Sequence, residues 1–147
     1  MSSVRRTNQV LYFARMSLDH SAKAESAQDK RYSEECALFH LYCAVTSLVG
    51  ELVGQYALAS FESLDELLAR PGLPSELKEL ALLLSDSGSW LNALSKQYFL
   101  LTKQGFNGSV ASGGLILSES DYSGLFANWL IELEKVTQRM REHYQEN

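Results

Sequence analysis

Three side chains that are able to bind a metal share one face of a predicted helix. Cys36, His40 and Cys43 stand at positions i, i+4 and i+7, and zinc is commonly bound by thiolates and imidazoles. A structural zinc site usually takes pairs of ligands from two elements, and this sequence offers no obvious fourth cysteine or histidine. Free cysteine is also among the residue types most often buried. We therefore expect these residues to form a packed helix face, and we predict no cofactor.

A second candidate pair lies near the end of the chain, where Arg139 precedes His143. The pair is similar to the R-x4-6-H signature of helical ribonucleases of the HEPN type, but its spacing is one residue short. The histidine also falls close to the end of the last predicted helix, where helices fray. A HEPN-like ribonuclease is therefore the weakest of the functions that we consider.

Other catalytic motifs are absent from the sequence. Gly108, Gly113 and Gly114 have the first spacing of a phosphate-binding loop, but Gly114 and Leu115 stand where lysine and serine or threonine are required. The paired Glu-x-x-His motifs of di-iron bundles do not occur, and neither do the HExxH, GxSxG and CxxC motifs. The sequence therefore favours a protein that is not an enzyme.

Glu51 interrupts the most apolar stretch of the chain and needs a buried partner. A helical hairpin that turns at residues 29–30 would place Asn8 near Glu51, with Arg5 and Arg6 within one helical turn. We therefore predict that Glu51 is bound by Arg5, Arg6 or Asn8. The simplest role of such a pair is structural, because it fixes the register between two helices.

His40 lies in the same apolar stretch, and the same hairpin would place Asp19 beside it. We predict that His40 is bound by Asp19 or by a nearby hydroxyl. The functional alternative is a pocket in the region of His40 and Glu51 that binds a small molecule or a metal. The two residues stand about 16 Å apart along a helix, which is too far for one reaction centre.

Four long helices are predicted to position these residues, because apolar residues recur at steps of three and four. The predicted helices cover residues 4–28, 32–59, 75–102 and 120 onward. The third is expected to break near residues 86–89, with Asp86 or Ser87 as the cap of its second segment. A capping box at Ser63 and Glu66 predicts a further short helix that ends near residue 70.

The stretch 104–119 shows no helical period and is rich in glycine, which predicts a long loop before the last helix. Its apolar Leu115–Leu117 either packs on the protein or contacts a partner. The fold class that follows is an all-α, antiparallel four-helix bundle of the up-down type. The length of 147 residues and the low content of proline and glycine, 2 and 9 residues, fit a single domain over 1–147.

The second predicted helix is apolar on most sides and is expected to lie at the centre of the bundle. Its run without Asp, Glu, Lys or Arg covers only 36–50 and ends at Glu51, which is too short for a membrane span. One stripe of small residues predicts a close approach by a neighbouring helix. The stripe consists of Ser47, Gly50, Gly54 and Ala57.

The net charge of −5 is unevenly distributed. Residues 1–31 hold six basic and three acidic residues, so the remaining 116 residues carry −8. An acidic protein of this kind does not attract phosphate backbones, and we expect no nucleic acid among its partners. Two cysteines are too few for a disulfide framework, and no secretory signal is visible, so we expect a cytoplasmic protein.

Three segments carry a resemblance to a known family: Arg6–Ala14, Ala37–Tyr42 and Ser89–Leu91. The chain resembles an uncharacterised, all-helical family of small proteins from pseudomonad-type bacteria. The resemblance implies a helical fold and a bacterial cytoplasmic setting, and it implies no catalytic residue.

The most economical hypothesis is a non-enzymatic helical bundle that acts by binding a protein partner or a second copy of itself. The first alternative is a bundle that binds a small molecule or a metal in the region of His40 and Glu51. The ribonuclease is the second alternative. We expect no membrane association.

Overall fold

The computed structural model describes the backbone of residues 2–103 and 119–146 and the side chains of residues 2–103 and 122–144. The regular secondary structure of these residues is entirely helical, which confirms the predicted all-α class. The predicted loop 104–119 lies outside the described residues, except for Glu119, with which the last helix begins. The helices are α1 (Ser3–Lys23), α2 (Ala27–Gln55), α3 (Leu64–Leu68), α4 (Ser75–Ser85), α5 (Trp90–Lys103) and α6 (Glu119–Glu146).

The first two helices are joined by a tight turn at residues 24–26. Ser2 caps α1, and Ser26 caps α2 by accepting a hydrogen bond of 3.0 Å from the backbone N–H of Asp29. The prediction that the turn lies at residues 29–30 was therefore wrong. Serine is a strong N-cap residue, and the polar stretch after Ser26 forms the first turn of α2.

The position of this turn sets the register between α1 and α2, which run antiparallel. The hydroxyls of Thr7 and Ser47 lie 2.7 Å apart, and the rings of Phe13 and His40 have centroids 5.4 Å apart. His40 therefore faces Phe13, whereas the predicted hairpin placed it beside Asp19. The difference exceeds one helical turn, and it follows directly from the earlier start of α2.

Helix α2 lies at the centre of the described structure and packs against α1, α5 and α6. Its inner side is a row of leucines from Leu38 to Leu52 that have no solvent exposure. Each such side chain contributes about 1.5–3 kcal/mol by leaving water. The neighbouring helices complete this core with Val10, Leu11 and Ala14 of α1, Leu91 and Leu94 of α5, and Phe126, Trp129 and Leu133 of α6.

Three shorter helices, α3, α4 and α5, lie between α2 and α6 in the chain. Ser63 caps α3, as the capping box predicts, by accepting a hydrogen bond of 3.1 Å from the N–H of Glu66. Residues 86–89 separate α4 from α5, and Ser89 caps α5 through the N–H of Asn92 at 3.0 Å. The prediction of Asp86 or Ser87 as this cap was wrong, because α5 begins at Trp90, directly after Ser89.

By its length and apolar composition alone, α2 would be able to cross a membrane. Half of its most apolar window is buried inside the protein, and the core helix of a water-soluble protein passes the same test.

Candidate interaction surface

Glu51 lies at the centre of a buried polar cluster and is only 5% exposed. Arg141 of α6 donates two hydrogen bonds to its carboxylate, from Nε at 3.0 Å and from Nη2 at 2.8 Å, and the Tyr144 hydroxyl donates a third at 3.0 Å. Asn8 enters the cluster by accepting a hydrogen bond of 2.9 Å from Arg141. The cluster therefore connects α1, α2 and α6.

The prediction that Arg5, Arg6 or Asn8 binds Glu51 was wrong, because Arg141 and Tyr144 bind the carboxylate and Asn8 reaches the cluster through Arg141. Arg5 and Arg6 are exposed on the first turns of α1, and Arg6 donates a hydrogen bond of 2.6 Å to Gln9. Burial alone would raise the pKa of Glu51, but the hydrogen bonds and positive charge of Arg141, with the Tyr144 hydroxyl, hold it below its ordinary value. Glu51 is therefore a charged group whose acceptors are already occupied.

His40 has a different environment from the one predicted. Its Nδ1–H donates a hydrogen bond of 2.8 Å to the carbonyl of Cys36, and its ring lies between Phe13 and Phe39. Asp19 is exposed on α1. Burial lowers the pKa of His40, and the nearby charge of Arg6 lowers it further, although the backbone hydrogen bond opposes both. His40 is thus a neutral ring in an aromatic cluster.

The three candidate metal ligands do not form a metal centre. Cys36 and Cys43 are free and half-buried, and burial raises the pKa of the Cys43 thiol, which disfavours the thiolate that zinc requires. His40 already uses Nδ1 for the Cys36 carbonyl. Among the residues whose side chains are described, no three His, Cys, Asp or Glu residues are placed to hold a metal ion.

Arg139 and His143 line one small cleft, of about 290 Å³, together with Glu76 and Glu79 of α4. Arg139 forms an ion pair with Glu79, and His143 Nδ1 lies 2.9 Å from the carboxylate of Glu76. The Tyr56 hydroxyl donates a hydrogen bond of 2.5 Å to the same carboxylate. Each basic side chain of this cleft is therefore beside a carboxylate.

The electrostatics of this cleft do not suit a phosphate backbone. Burial alone would raise the pKa of Glu76, but hydrogen bonds from Tyr56, His143 and Ser75 lower it to about 2. The hydrogen bond to Glu76 raises the pKa of Tyr56 to about 12. The carboxylate of Glu76 is therefore ionised at neutral pH and repels an anion, so the cleft around Arg139 and His143 is unfavourable for a phosphate backbone.

The outer face of α2 is only partly covered by the residues that the structure describes. Seven uncharged residues follow one another along this face at alternating steps of four and three, and we call this row the α2 seam. The α2 seam consists of Tyr32, Cys36, Phe39, Cys43, Thr46, Gly50 and Val53. Tyr32 and Phe39 are 71% and 47% exposed, and the other five are half-buried. Alternating steps of four and three are the spacing of helices that pack as coiled coils.

The N-terminal half of the α2 seam is bulky and borders a depression. The depression has a volume of about 510 Å³, and Tyr32, Cys36, Phe39 and Leu101 contribute its apolar walls. Tyr12 of α1 is 59% exposed and extends the aromatic surface through the ring of Phe13. This region therefore offers exposed rings beside a concave apolar surface.

The C-terminal half of the α2 seam is narrow. A Cβ atom added at Gly50 or Gly54 would meet no described atom within 4 Å, so the space above both glycines is open. Ser47, in contrast, points toward Thr7 of α1. The predicted stripe of small residues therefore divides: Ser47 serves the contact with α1, and the glycines form no close contact with a described neighbour.

Sequence periodicity did not reveal the α2 seam, because α2 is apolar on its inner and outer sides alike. The residues of the seam are spaced as in a coiled coil, but so are the buried leucines. Only the packing of α1, α5 and α6 shows which face they leave uncovered.

A protein-family model described as "Family of unknown function (DUF6586)" matches residues 1–147. The chain belongs to this family. The match spans the whole chain and agrees with the resemblance seen in its segments. No curated protein and no solved structure matches the chain. Membership in the family assigns no activity, so a functional inference for this member must come from its own surfaces.

Proposed function

We propose that this protein is a non-enzymatic helical bundle that binds a helix of a protein partner along the α2 seam. In this proposal α1, α2, α5 and α6 form an antiparallel four-helix bundle, and the partner helix lies along the outer face of α2. The observation that carries the proposal is the uncharged row of seven residues that remains accessible on the central helix.

An apolar helix face that stays exposed to water is unfavourable in free energy. A surface helix of a monomeric protein normally presents charged or polar residues to solvent, and a continuous apolar face marks a site of association. Between Cys36 and Gly50, α2 has no Asp, Glu, Lys or Arg on any side. A partner helix that covers the α2 seam would remove Tyr32 and Phe39 from water, as in helix-in-groove recognition.

The small-molecule alternative has less support. It places a ligand in the region of His40 and Glu51, but Glu51 is enclosed by Arg141 and Tyr144, whereas His40 lies on the wall of the depression beside Tyr32. The depression beside Tyr32 remains a surface for a partner's side chains. We therefore prefer a protein helix as the ligand.

Site-specific photo-crosslinking in cells tests this proposal. A benzophenone amino acid is placed at Phe39, and matched variants carry it at Leu82 of α4 and Ile131 of α6, which are 70% and 49% exposed. We expect a discrete protein adduct from position 39 and none from positions 82 and 131. Adducts of equal yield at all three positions, or none at position 39, would overturn the proposal.

A further inference from the structure

We propose that the helix bound along the α2 seam is α2 of a second copy of this chain, in antiparallel orientation. This inference rests on the proposed function, because it names the partner of the same surface. The resulting assembly is a two-fold symmetric dimer, in which each copy contributes the same face.

Large and small residues are distributed unevenly along the α2 seam. The large side chains, Tyr32 and Phe39, lie in the N-terminal half, and the small ones, Thr46 and Gly50, lie in the C-terminal half. Antiparallel pairing brings the bulky half of one copy onto the narrow half of the other. A parallel pairing would instead place large residues against large ones.

A two-fold axis that passes between the two α2 helices at the level of Leu41 gives a specific register. Tyr32 then faces Gly50 of the second copy, and Phe39 faces Cys43. Cys36 faces Thr46, whose hydroxyl already donates a hydrogen bond of 3.2 Å to the carbonyl of Tyr42 and so leaves its methyl group for the interface. Two of these pairs join an aromatic ring to a smaller residue, and Cys36 and Thr46 are similar in size. This arrangement suits knobs-into-holes packing.

The open space above Gly50 supports this register. No described atom lies within 4 Å of a Cβ built at this glycine, and the ring of Tyr32 is the most exposed side chain of the α2 seam. The protruding ring of Tyr32 and the open space above Gly50 lie on the same face of one molecule. In a two-fold symmetric dimer, the Tyr32 ring of each copy enters the space above Gly50 of the other copy.

The charge distribution also favours self-association at this face. The protein has a net charge of −5, so two copies repel each other where acidic surfaces meet. The six seam residues from Tyr32 to Gly50 are uncharged and pair with one another in this register, so the two copies bring no charged pair together there, while Val53 lies opposite the exposed Asp29 at the start of α2.

The length of the α2 seam sets the expected strength. From Tyr32 to Val53 the helix extends over about 33 Å at 1.5 Å per residue. A strip of one helix width is smaller than the roughly 800 Å² that each partner contributes to a standard interface. We therefore expect a dimer that dissociates at concentrations on the order of micromolar.

Light scattering after size exclusion is the first measurement. At tens of micromolar the wild-type mass should approach twice the 16.5 kDa of one chain. Gly50→Leu fills the space that Tyr32 of the second copy requires and should weaken the dimer about tenfold or more. Leu82→Ser is the control. Leu82 lies on α4, outside the α2 seam, and is about as exposed as Tyr32, so this substitution should leave the mass unchanged. Circular dichroism verifies that each variant is folded.

A size exchange separates the interface from a general effect of the substitution. Adding Tyr32→Ala to Gly50→Leu removes the clash and should restore dimerisation toward the wild-type level. Failure of this rescue in a folded double variant would overturn the proposed register.

Oxidative cross-linking tests the orientation directly. In Thr46→Cys, the new thiol faces Cys36 of the second copy, and oxidation should yield a disulfide-linked dimer. Mass spectrometry should then find Cys36 of one copy joined to the thiol introduced at position 46 of the other. Within one chain these positions are about 15 Å apart along a helix and cannot join. A Cys36–Cys36 linkage in the wild-type protein would indicate parallel packing and would overturn the antiparallel dimer.

The failure of this inference is distinguishable from the failure of the proposed function. A monomer in solution whose position 39 cross-links to a different protein overturns the second copy as partner and leaves the proposed function supported. A monomer without an adduct at position 39 overturns both.

Discussion

Arg141 binds Glu51 through two hydrogen bonds although the two residues lie 90 positions apart in the chain. The Glu51 side chain is 1% exposed and that of Arg141 is 14% exposed. The ion pair holds the C-terminal part of α6 against α2, and Arg141 reaches α1 through Asn8. A buried charge with a single cationic partner makes this contact sensitive to substitution.

Arg141→Met should destabilise the protein by about 3–5 kcal/mol, because it leaves the carboxylate of Glu51 buried without its counter-charge. Urea unfolding followed by circular dichroism measures the change. The matched control is Arg15→Ala, which removes the exposed ion pair with Glu134 and should cost less than about 1 kcal/mol. Equal effects of the two substitutions would contradict the importance of the buried pair.

The depressed pKa of Glu76 predicts that the protein loses stability in acid. Its pKa in the folded protein is about 2, against an ordinary value of 4.5. Because the folded pKa is depressed, the contribution of Glu76 is fully present above about pH 4.5 and declines as the pH falls toward 2. Urea midpoints measured between pH 2 and 7 should fall less steeply for Glu76→Gln than for the wild type. Parallel profiles of the two proteins would show that Glu76 does not carry this dependence.

Two glycines should respond to alanine in opposite directions. Gly50 lies inside α2 with open space at its Cβ position, so Gly50→Ala should stabilise the protein by about 0.5–1 kcal/mol through helix propensity. Gly72 has a φ of +71°, so Gly72→Ala should destabilise it by about 1–2 kcal/mol. Thermal unfolding of both variants, at a concentration well below the dissociation constant of the dimer, checks the signs in the monomer. A lower melting temperature for Gly50→Ala would mean that the space above Gly50 is filled within the monomer.

The helical fold followed from the sequence because its local signals are strong. The steps of three and four in α1 and α6 and the capping box at Ser63 all predict helices at positions where helices occur. The register of α1 against α2 was not predictable in the same way, because it depends on whether Ser26 caps a helix or belongs to a loop.

The partners of the buried polar residues could not be predicted from local sequence patterns. Once Glu51 was assigned to a helix, sequence proximity favoured a partner on the preceding helix, yet Arg141 lies at the far end of the chain. Nothing in the spacing around Arg141 distinguishes it from the exposed Arg139, which pairs with Glu79. Only the three-dimensional packing of α6 decides which of the two arginines is buried.

Adjacent residues of α2 provide the sharpest separation of core from seam. Leu38 has no exposure and lies in the core, whereas Phe39 is 47% exposed on the α2 seam. Leu38→Ala should cost about 2–5 kcal/mol, since it removes buried methyl groups and leaves a cavity. Phe39→Ala should cost less, about 1 kcal/mol in the monomer, because about half of its surface is already in water.

Urea unfolding at a protein concentration well below the dissociation constant of the dimer, where the monomer predominates, measures both effects. The association of Phe39→Ala, measured by light scattering at tens of micromolar, should be weaker than that of the wild type. If Phe39→Ala instead destabilises the monomer as strongly as Leu38→Ala, the ring supports the fold. The outer face of α2 would then be part of the core and could not serve as a binding surface.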